Sequence, residues 1–222
     1  MSAGVTEARL FTRSLCAFTR TELLLTLAGL AILAVIFLPA LARSRARSSR
    51  IGCAQCLKQT ELALRTWAID NDDHFPMQVS VTNGGTMELT ASGLVFPHFQ
   101  VVSNELGTPR VLFCPNDENR TYATNFTSDF SDKHISYFLN VDSVPGDSAG
   151  LLCGDRNLTN QRAAGSRFVI VSNGTAIAWT KEIHSKQGHL AFGDGQLHGV
   201  PNGDARSIIR MPNGNTNRLA VP

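Results

Sequence analysis

The sequence predicts an α+β protein in which a long N-terminal helix packs on a small antiparallel β-sheet head. Three observations support this fold class. An uncharged run extends from Leu23 to Ala42, helical spacing of apolar residues continues to about Asp70, and short β-prone runs separated by turn residues follow. We therefore divide the chain into four segments: 1–17, 18–42, 43–76 and 77–222.

Residues 1–17 form a short polar segment whose cations are Arg9 and Arg13. The segment has the character of a leader, but an ordinary secretory signal carries its apolar core before the cleavage site. In this chain the apolar stretch comes afterwards. Cleavage between Ala17 and Phe18 would therefore leave the apolar helix attached to the protein.

Residues 18–42 are predicted to form a membrane-spanning helix. The twenty residues from Leu23 to Ala42 carry one polar side chain, Thr26. At about 1.5 Å of rise per residue, this run would cross a hydrocarbon layer of roughly 30 Å. Pro39 removes a backbone donor near the end of the run and predicts a kink, which membrane helices tolerate better than soluble ones.

Glu22 places a carboxylate directly before the apolar run. An unpaired charge within a membrane costs at least about 2–3 kcal/mol, so this carboxylate needs a partner or water. If a peptidase cuts before Phe18, the new amino group is a cation with which Glu22 of a neighbouring subunit can pair. The alternative is that Glu22 lies at headgroup level with its charge in water.

The helix is predicted to continue through residues 43–76 as a soluble extension and linker. No proline occurs between Arg43 and Asp70, and Glu61 and Arg65 have the spacing of a favourable ion pair on a helix. Turn-forming residues then predict its end. The apolar face is predicted from Ile51, Ala54, Leu57, Leu64 and Ala68, and the end from Asn71, Asp72, Asp73 and Pro76.

The remaining residues, 77–222, are predicted to form a β-rich globular head. Two tight turns, Ser172-Asn173-Gly174 and Gly193-Asp194-Gly195, predict hairpins between the runs that flank them, and the tail from Pro212 to Asn217 is predicted to be loose. The predicted strands are Gln78–Val81, Val111–Phe113, Ile135–Leu139, Phe168–Val171, Thr175–Trp179, His189–Phe192 and Gln196–Val200.

Four cysteines follow the apolar run, and export past the cytoplasmic membrane would permit disulfides among them. Cys53 and Cys56 have the spacing of half a zinc site, but Cys114 and Cys153 stand alone, so we expect no structural metal. Three pairings are possible if all four are bonded. A bond from the helix cysteines to Cys114 would tether the head to the helix.

The N-terminal residues resemble the type IV prepilin N-terminus of pilins and type II secretion pseudopilins. The resemblance implies cleavage between Ala17 and Phe18 by a prepilin peptidase, N-methylation of Phe18, pairing of Glu22 with the next subunit and a kink at Pro39. Ala17 stands where the family has Gly, and Arg20 and Thr21 stand where it has apolar residues. The alternative is an uncleaved membrane anchor.

The C-terminal third resembles the prepilin-type processing-associated H-X9-DG domain. His184 is followed, after nine residues, by Asp194-Gly195. We expect a structural role, in which Asp194-Gly195 forms a tight turn and His184 bonds to backbone or to Asp194. Further matches to this family are Cys53, Leu57-Lys58-Gln59, Asp70-Asn71-Asp72, Phe75-Pro76, Phe113-Cys114-Pro115-Asn116-Asp117 and Ser136-Tyr137-Phe138-Leu139-Asn140.

We expect no cofactor and no enzymatic activity, because no motif marks a Ser or Cys nucleophile near His184. Calcium is the one ligand kept open, since major type II pseudopilins bind it in the head. Its candidate oxygen donors here are Asp194, Asn202 and Asp204, which lack the dense spacing of a calcium loop.

The formal net charge of +2 is nearly balanced and implies no nucleic-acid partner. Four arginines follow the apolar run and three precede it, so cations alone would place the C-terminal side in the cytoplasm. Pilin-like topology requires the opposite, and the cysteine pattern also favours export. The arginines are Arg9, Arg13 and Arg20 before the run, and Arg43, Arg45, Arg47 and Arg50 after it.

The sequence therefore predicts a single-pass protein of the bacterial cytoplasmic membrane with its head exported to the periplasm or cell surface. Its expected function is that of a structural subunit, assembled with other pilin-like subunits into a type II secretion pseudopilus or a type IV pilus-like filament. The alternative is a membrane-anchored surface protein whose head is a binding module or an enzyme.

Overall fold

The protein has the predicted α+β fold, with one long N-terminal helix and a six-stranded antiparallel sheet. The chain divides after Ala46 into two compact units, which are described separately below. The structure is a computed structural model, and it describes residues 19–127, 129–147, 150–159, 166–172, 177–201 and 216–222.

Helix α1, Arg20–Ile69, begins in the first unit and ends in the second. Its apolar first half is exposed throughout, with Leu25 at 76% and Val35 at 73% of full exposure. Within the part of the chain that the structure describes, α1 is the one helix long and apolar enough to cross a membrane. It is therefore a candidate membrane span.

The second half of α1 belongs to the head and buries one face against it. Leu57, Leu64 and Ala68 are buried as predicted, but Ile51 is half exposed, so that part of the predicted face is wrong. The buried positions follow spacings of three and four residues, as expected for a helix with one face on a core. They are Cys53, Leu57, Thr60, Glu61, Ala63, Leu64, Trp67 and Ala68.

The helix ends where the turn-forming residues predict. Asp72 and Asp73 adopt left-handed backbone conformations, with φ of 54° and 59°. The backbone N–H groups of Asn71 and Asp73 both donate to the carbonyl of Ala68, and the Asn71 side chain donates to that of Trp67. These bonds satisfy carbonyl groups that the end of a helix leaves free.

The sheet places its strands in the order β4-β8-β1-β2-β6-β7, and every pairing is antiparallel. Two further strands, β3 and β5, form a separate small sheet. The strands are β1 Tyr137–Asn140, β2 Leu151–Asp155, β3 Leu158–Thr159, β4 Phe168–Val171, β5 Ala178–Trp179, β6 Gln187–Phe192, β7 Leu197–Pro201 and β8 Asn217–Ala220.

An apolar core covers each face of the sheet. Successive side chains of a strand point to opposite faces, so they enter the two cores alternately. In β1, Tyr137 and Leu139 pack in the core that contains α1, while Phe138 packs in the opposite core. The second core also contains Trp179 of β5 and Ile177, which directly precedes β5. The central strands are therefore buried on both sides.

Two short helices, α2 Phe96–Val101 and α3 Ser103–Leu106, lie between α1 and the sheet in the chain. The predicted strands Gln78–Val81 and Val111–Phe113 are wrong, because short 3₁₀ helices occupy Pro76–Gln78, Val81–Asn83 and Pro109–Leu112. Two of these begin at a proline, which has no N–H for a sheet ladder but suits the first position of a helix.

Five predicted strands are confirmed, with small shifts at their ends, as β1, β4, β5, β6 and β7. The hairpin predicted around Ser172-Asn173-Gly174 is wrong, since β4 pairs with β8 and β5 with β3; residues 173–176 themselves lie outside the described residues. The tail prediction also fails at Asn217, where β8 begins and inserts between β4 and β1.

A disulfide joins α1 to the head. Cys53 of α1 is bonded to Cys114, and both are fully buried. Cys56 and Cys153 are free thiols. Burial raises the pKa of both, that of Cys153 more strongly, so they are poor nucleophiles. Of the expected cysteine pairings, the structure therefore contains the bond from a helix cysteine to Cys114, which connects the helix to the head.

We predict that the variant with both Cys53→Ala and Cys114→Ala loses about 4 kcal/mol of unfolding free energy, because the bond closes a long loop in the unfolded chain. The sequence separation of the two cysteines is 61 residues. Chemical denaturation of the detergent-solubilised protein measures the loss. Cys56→Ala is the control, and an equal loss in that variant would contradict the tethering role.

Candidate functional site

The predicted cleavage junction, Ala17 and Phe18, lies outside the described residues, as do the calcium candidates Asn202 and Asp204. The cleavage and methylation of Phe18 therefore stay predictions. Pro39 lies inside α1, which continues through it to Ile69. The remaining predicted site residues are placed by the structure.

Glu22 forms a capping box with Thr19 at the start of α1. The Glu22 carboxylate accepts bonds of 2.9 Å from the backbone N–H and from the hydroxyl of Thr19, and the backbone N–H of Glu22 donates to the Thr19 hydroxyl. Reciprocal bonds of this kind satisfy N–H groups at a helix start. In the single chain, Glu22 thus has a local role that we did not predict, and any bond to another subunit would replace or share these contacts.

Asp194 and Gly195 form the predicted tight turn between β6 and β7. The N–H of Gly195 donates to the Phe192 carbonyl, and the Asp194 carboxylate accepts from the N–H of Gln196. Gly195 has a φ of 93°, in the left-handed region that favours glycine. The confirmed hairpin of β6 and β7 depends on this residue type.

The turn contacts charged side chains of α1. Arg65 donates to the carbonyl of Asp194 at 3.2 Å, and Lys58 donates to the carbonyl of Gly195. Both cations also pair with Glu61, whose side chain is fully buried, at 2.9 Å from Lys58 and 3.4 Å from Arg65. A buried carboxylate needs such partners. The Asp-Gly turn therefore helps to hold Lys58 and Arg65, the two cations that neutralise the buried Glu61 carboxylate.

Among the described residues, His184 makes no bond to Asp194, which was one of the two expected alternatives, the other being a bond to the backbone. Its Nε2 lies 3.6 Å from Cys114 Sγ and 3.6 Å from an Asp155 carboxylate oxygen, and the Asn116 amide donates to its Nδ1 at 3.5 Å. The hairpin turn takes Asp194 to α1, whereas His184 lies against the disulfide.

Asp155, His184 and His189 form a compact group in the head, called here the Asp-His-His cluster. Asp155 Oδ2 accepts bonds from the backbone N–H of His189 at 2.8 Å and from its Nδ1 at 3.0 Å. The two imidazole rings meet edge to face at 5.4 Å. The side chains of Asp155 and His184 are fully buried, while that of His189 is 15% exposed.

The fold brings these three residues together from distant parts of the chain. Asp155 ends β2, His189 lies in the neighbouring strand β6, and His184 precedes β6. Between the two histidines, Ser185 and Lys186 adopt left-handed conformations with φ of 51° and 68°. Such conformations are unfavourable for non-glycine residues and persist where the surroundings enforce them.

The segment around Cys114 supports the cluster. Cys114 forms the disulfide, Asn116 bonds to His184, and Asp117 receives a two-pronged ion pair from Arg156 with bonds of 2.6 and 2.5 Å. Because Arg156 directs its guanidinium to Asp117 and Glu182, it does not neutralise the adjacent Asp155.

Burial lowers the pKa of His184, and the nearby Asp155 carboxylate opposes this shift only in part. The His184 imidazole is therefore favoured in its neutral form, with Nδ1 accepting from Asn116 and Nε2 facing Asp155 and Cys114. A neutral imidazole can donate one hydrogen bond, accept one, or bind a metal.

The cluster was missed by sequence reasoning, because its carboxylate lies far from the histidines in the chain. One signal was present, since His184 and His189 are separated by four residues within the H-X9-DG segment. Their donor atoms and the Asp155 carboxylate lie within 4.8 Å of one another. Two imidazoles and a carboxylate can hold a metal ion or relay a proton.

Comparisons of the chain with protein-family models, with curated proteins and with solved structures give no match.

We predict that Gly195→Ala destabilises the head by about 1–2 kcal/mol, because alanine is strained at this positive φ. Its Cβ would also clash with the Arg65 guanidinium and displace that side chain from Asp194. Gly199→Ala in β7 is the matched control, since its Cβ would meet only ordinary contacts. Thermal unfolding compares the two variants, and equal melting temperatures would contradict the role assigned to the turn.

Proposed function

We propose that the chain is a pilin-like or pseudopilin structural subunit, processed by a prepilin peptidase and assembled through its N-terminal helix into a type II secretion pseudopilus or a type IV pilus-like filament. The observation that carries the proposal is the exposed apolar half of α1, with Glu22 directly before it. Side chains this apolar require lipid or other copies of the helix around them.

The two halves of α1 differ in the way that this function needs, since one half is attached to the head and the other is exposed. The second half of α1 is fixed to the head by its buried face, the disulfide and the Glu61 ion pairs. The first half has no buried residue. It is therefore available to span the bilayer before assembly and to pack against other pilin-like subunits afterwards.

The proposal includes a single membrane span with the head outside the bacterial cytoplasmic membrane. The disulfide between Cys53 and Cys114 supports this topology, since disulfides persist in exported proteins and are rare in the cytosol. The simple count of flanking arginines, by contrast, favours the reverse orientation.

A second candidate is an uncleaved membrane-anchored surface protein whose head is a binding module or an enzyme. The Asp-His-His cluster favours this candidate, because packing of the N-terminal helix makes no use of it. The two candidates differ in what they require of residues 1–22.

Mass spectrometry of the N-terminal peptide from native membranes separates the two candidates. Under our proposal the mature chain begins at Phe18, and its amino group is methylated. A leader that is retained in all the material would support the uncleaved anchor instead. The control is the same measurement on cells that lack prepilin peptidase, in which the leader should be retained.

We predict that Glu22→Gln reduces incorporation into filaments by about tenfold or more, because the charged terminus of the neighbouring subunit loses its partner in lipid. Glutamine keeps an oxygen that can accept from Thr19, so the capping box is retained. Thr19→Ala is the control, since it removes the hydroxyl of the capping box and leaves the acid.

Immunoblots of sheared filaments against total membrane protein measure this incorporation. If Thr19→Ala fails and Glu22→Gln assembles normally, the role of Glu22 is to cap its own helix, and pairing between subunits is excluded.

A further inference from the structure

We propose that Asp155, His184 and His189 bind one zinc ion in the disulfide-bonded head. This site goes beyond the proposed assembly function, because it lies within the head and uses no residue of the exposed apolar half of α1. If the protein bound no zinc, the assembly proposal would still stand. If the protein formed no filaments, the zinc proposal would still stand.

The donor atoms suit zinc in type and in spacing. Two imidazole nitrogens and one carboxylate oxygen form a common three-ligand set for zinc, with a fourth position left for water or another ligand. Zinc-to-ligand distances of about 2.0–2.2 Å place neighbouring ligands of a tetrahedron roughly 3.4 Å apart. Asp155 Oδ2 lies 3.0 Å from His189 Nδ1 and 3.6 Å from His184 Nε2.

The charge of Asp155 supports a cation at this position. Its side chain is fully buried, and its ion-pair partners among the described residues are the two histidines alone. Its second oxygen, Oδ1, is buried and has no hydrogen-bond partner in the described part of the chain. A buried carboxylate is unfavourable without a cation or a full set of hydrogen bonds, and a bound metal supplies the missing charge.

The surrounding residues orient the ligands as a metal site requires. His184 turns its Nε2 toward Asp155, while its Nδ1 lies 3.5 Å from the Asn116 side-chain amide. A histidine that binds zinc through Nε2 carries its proton on Nδ1 and donates it to an acceptor, so in the zinc-bound protein Nε2 gives up its proton and the Asn116 amide presents its oxygen to Nδ1. The side chain of His189 is 15% exposed, so the site lies next to the surface of the head.

The disulfide determines which ligands are available. Cys53, Cys114 and His184 would form a competing set, because their donor atoms also lie within 4.8 Å of one another. In the oxidised protein the two sulfurs are bonded to each other, and neither is a thiolate. The proposed site is therefore one of nitrogen and oxygen ligands, and it must bind zinc under non-reducing conditions.

The test uses the untagged full-length protein in detergent, with its disulfide intact, after removal of metals by dialysis against a chelator. Isothermal titration measures zinc binding, and cobalt(II), whose absorption reports tetrahedral coordination, serves as the spectroscopic probe. We expect one ion per chain. His189→Gln and Asp155→Asn should each weaken binding by at least about tenfold, since each removes a ligand.

His74→Gln is the matched control, because His74 is exposed and lies outside the cluster. It should bind zinc as the unaltered protein does. If Asp155→Asn fails to fold, the zinc affinity of His189→Gln tests the proposal, because the native His189 side chain reaches the surface and its replacement is better tolerated.

Three results would overturn the proposal. These are no zinc binding by the oxidised protein, equal affinity in His189→Gln and the unaltered protein, or binding that occurs only after the disulfide is reduced. The last result would assign the metal to the thiolates of Cys53 and Cys114 instead.

Discussion

The structure of the head depends on the packing of the second half of α1 against one face of the sheet. The helix contributes Leu57, Leu64 and Trp67 to the core that also contains Tyr137 and Leu139 of β1. Burying each large apolar side chain stabilises the fold by about 1.5–3 kcal/mol. Because this face of the helix is fixed, the charged and bonded groups beside it are fixed as well.

Three connections between α1 and the rest of the head follow from that packing, one covalent and two through hydrogen bonds. Cys53 is brought to Cys114, the Tyr137 hydroxyl donates to the Cys53 carbonyl, and the cations around Glu61 reach the turn at Asp194-Gly195. Each connects the helix to a different segment of the head.

The H-X9-DG segment illustrates how far sequence reasoning extends. The turn at Asp194-Gly195 could be predicted, because it depends on local backbone conformation and on the flanking β-prone runs. The partners of His184 could not, because Asp155 and Cys114 approach it only through sheet pairing and the disulfide. Local patterns predict local bonds, whereas a buried cluster depends on the register of distant strands.

The same limit explains the errors in the sheet. The strand Leu151–Asp155 is buried on both faces, so its sequence does not alternate between apolar and polar residues. The strand Asn217–Ala220 follows a polar tail. For these reasons the sequence predicted neither strand. The hairpin predicted at Ser172-Asn173-Gly174 failed because β8 returned from the end of the chain to pair with β4. A turn signal cannot anticipate such a long-range partner.

By itself, the sequence determined the elements that depend on nearby residues: the apolar half of α1, the end of that helix near Asn71, and the hairpin of β6 and β7. Helical spacing, turn chemistry and apolar composition act over a few residues and are visible in the chain. Only the tertiary structure decided the strand order, the pairing of Cys53 with Cys114, and the meeting of Asp155, His184 and His189. Those contacts join residues far apart in sequence, so their energy exists only once the chain has folded.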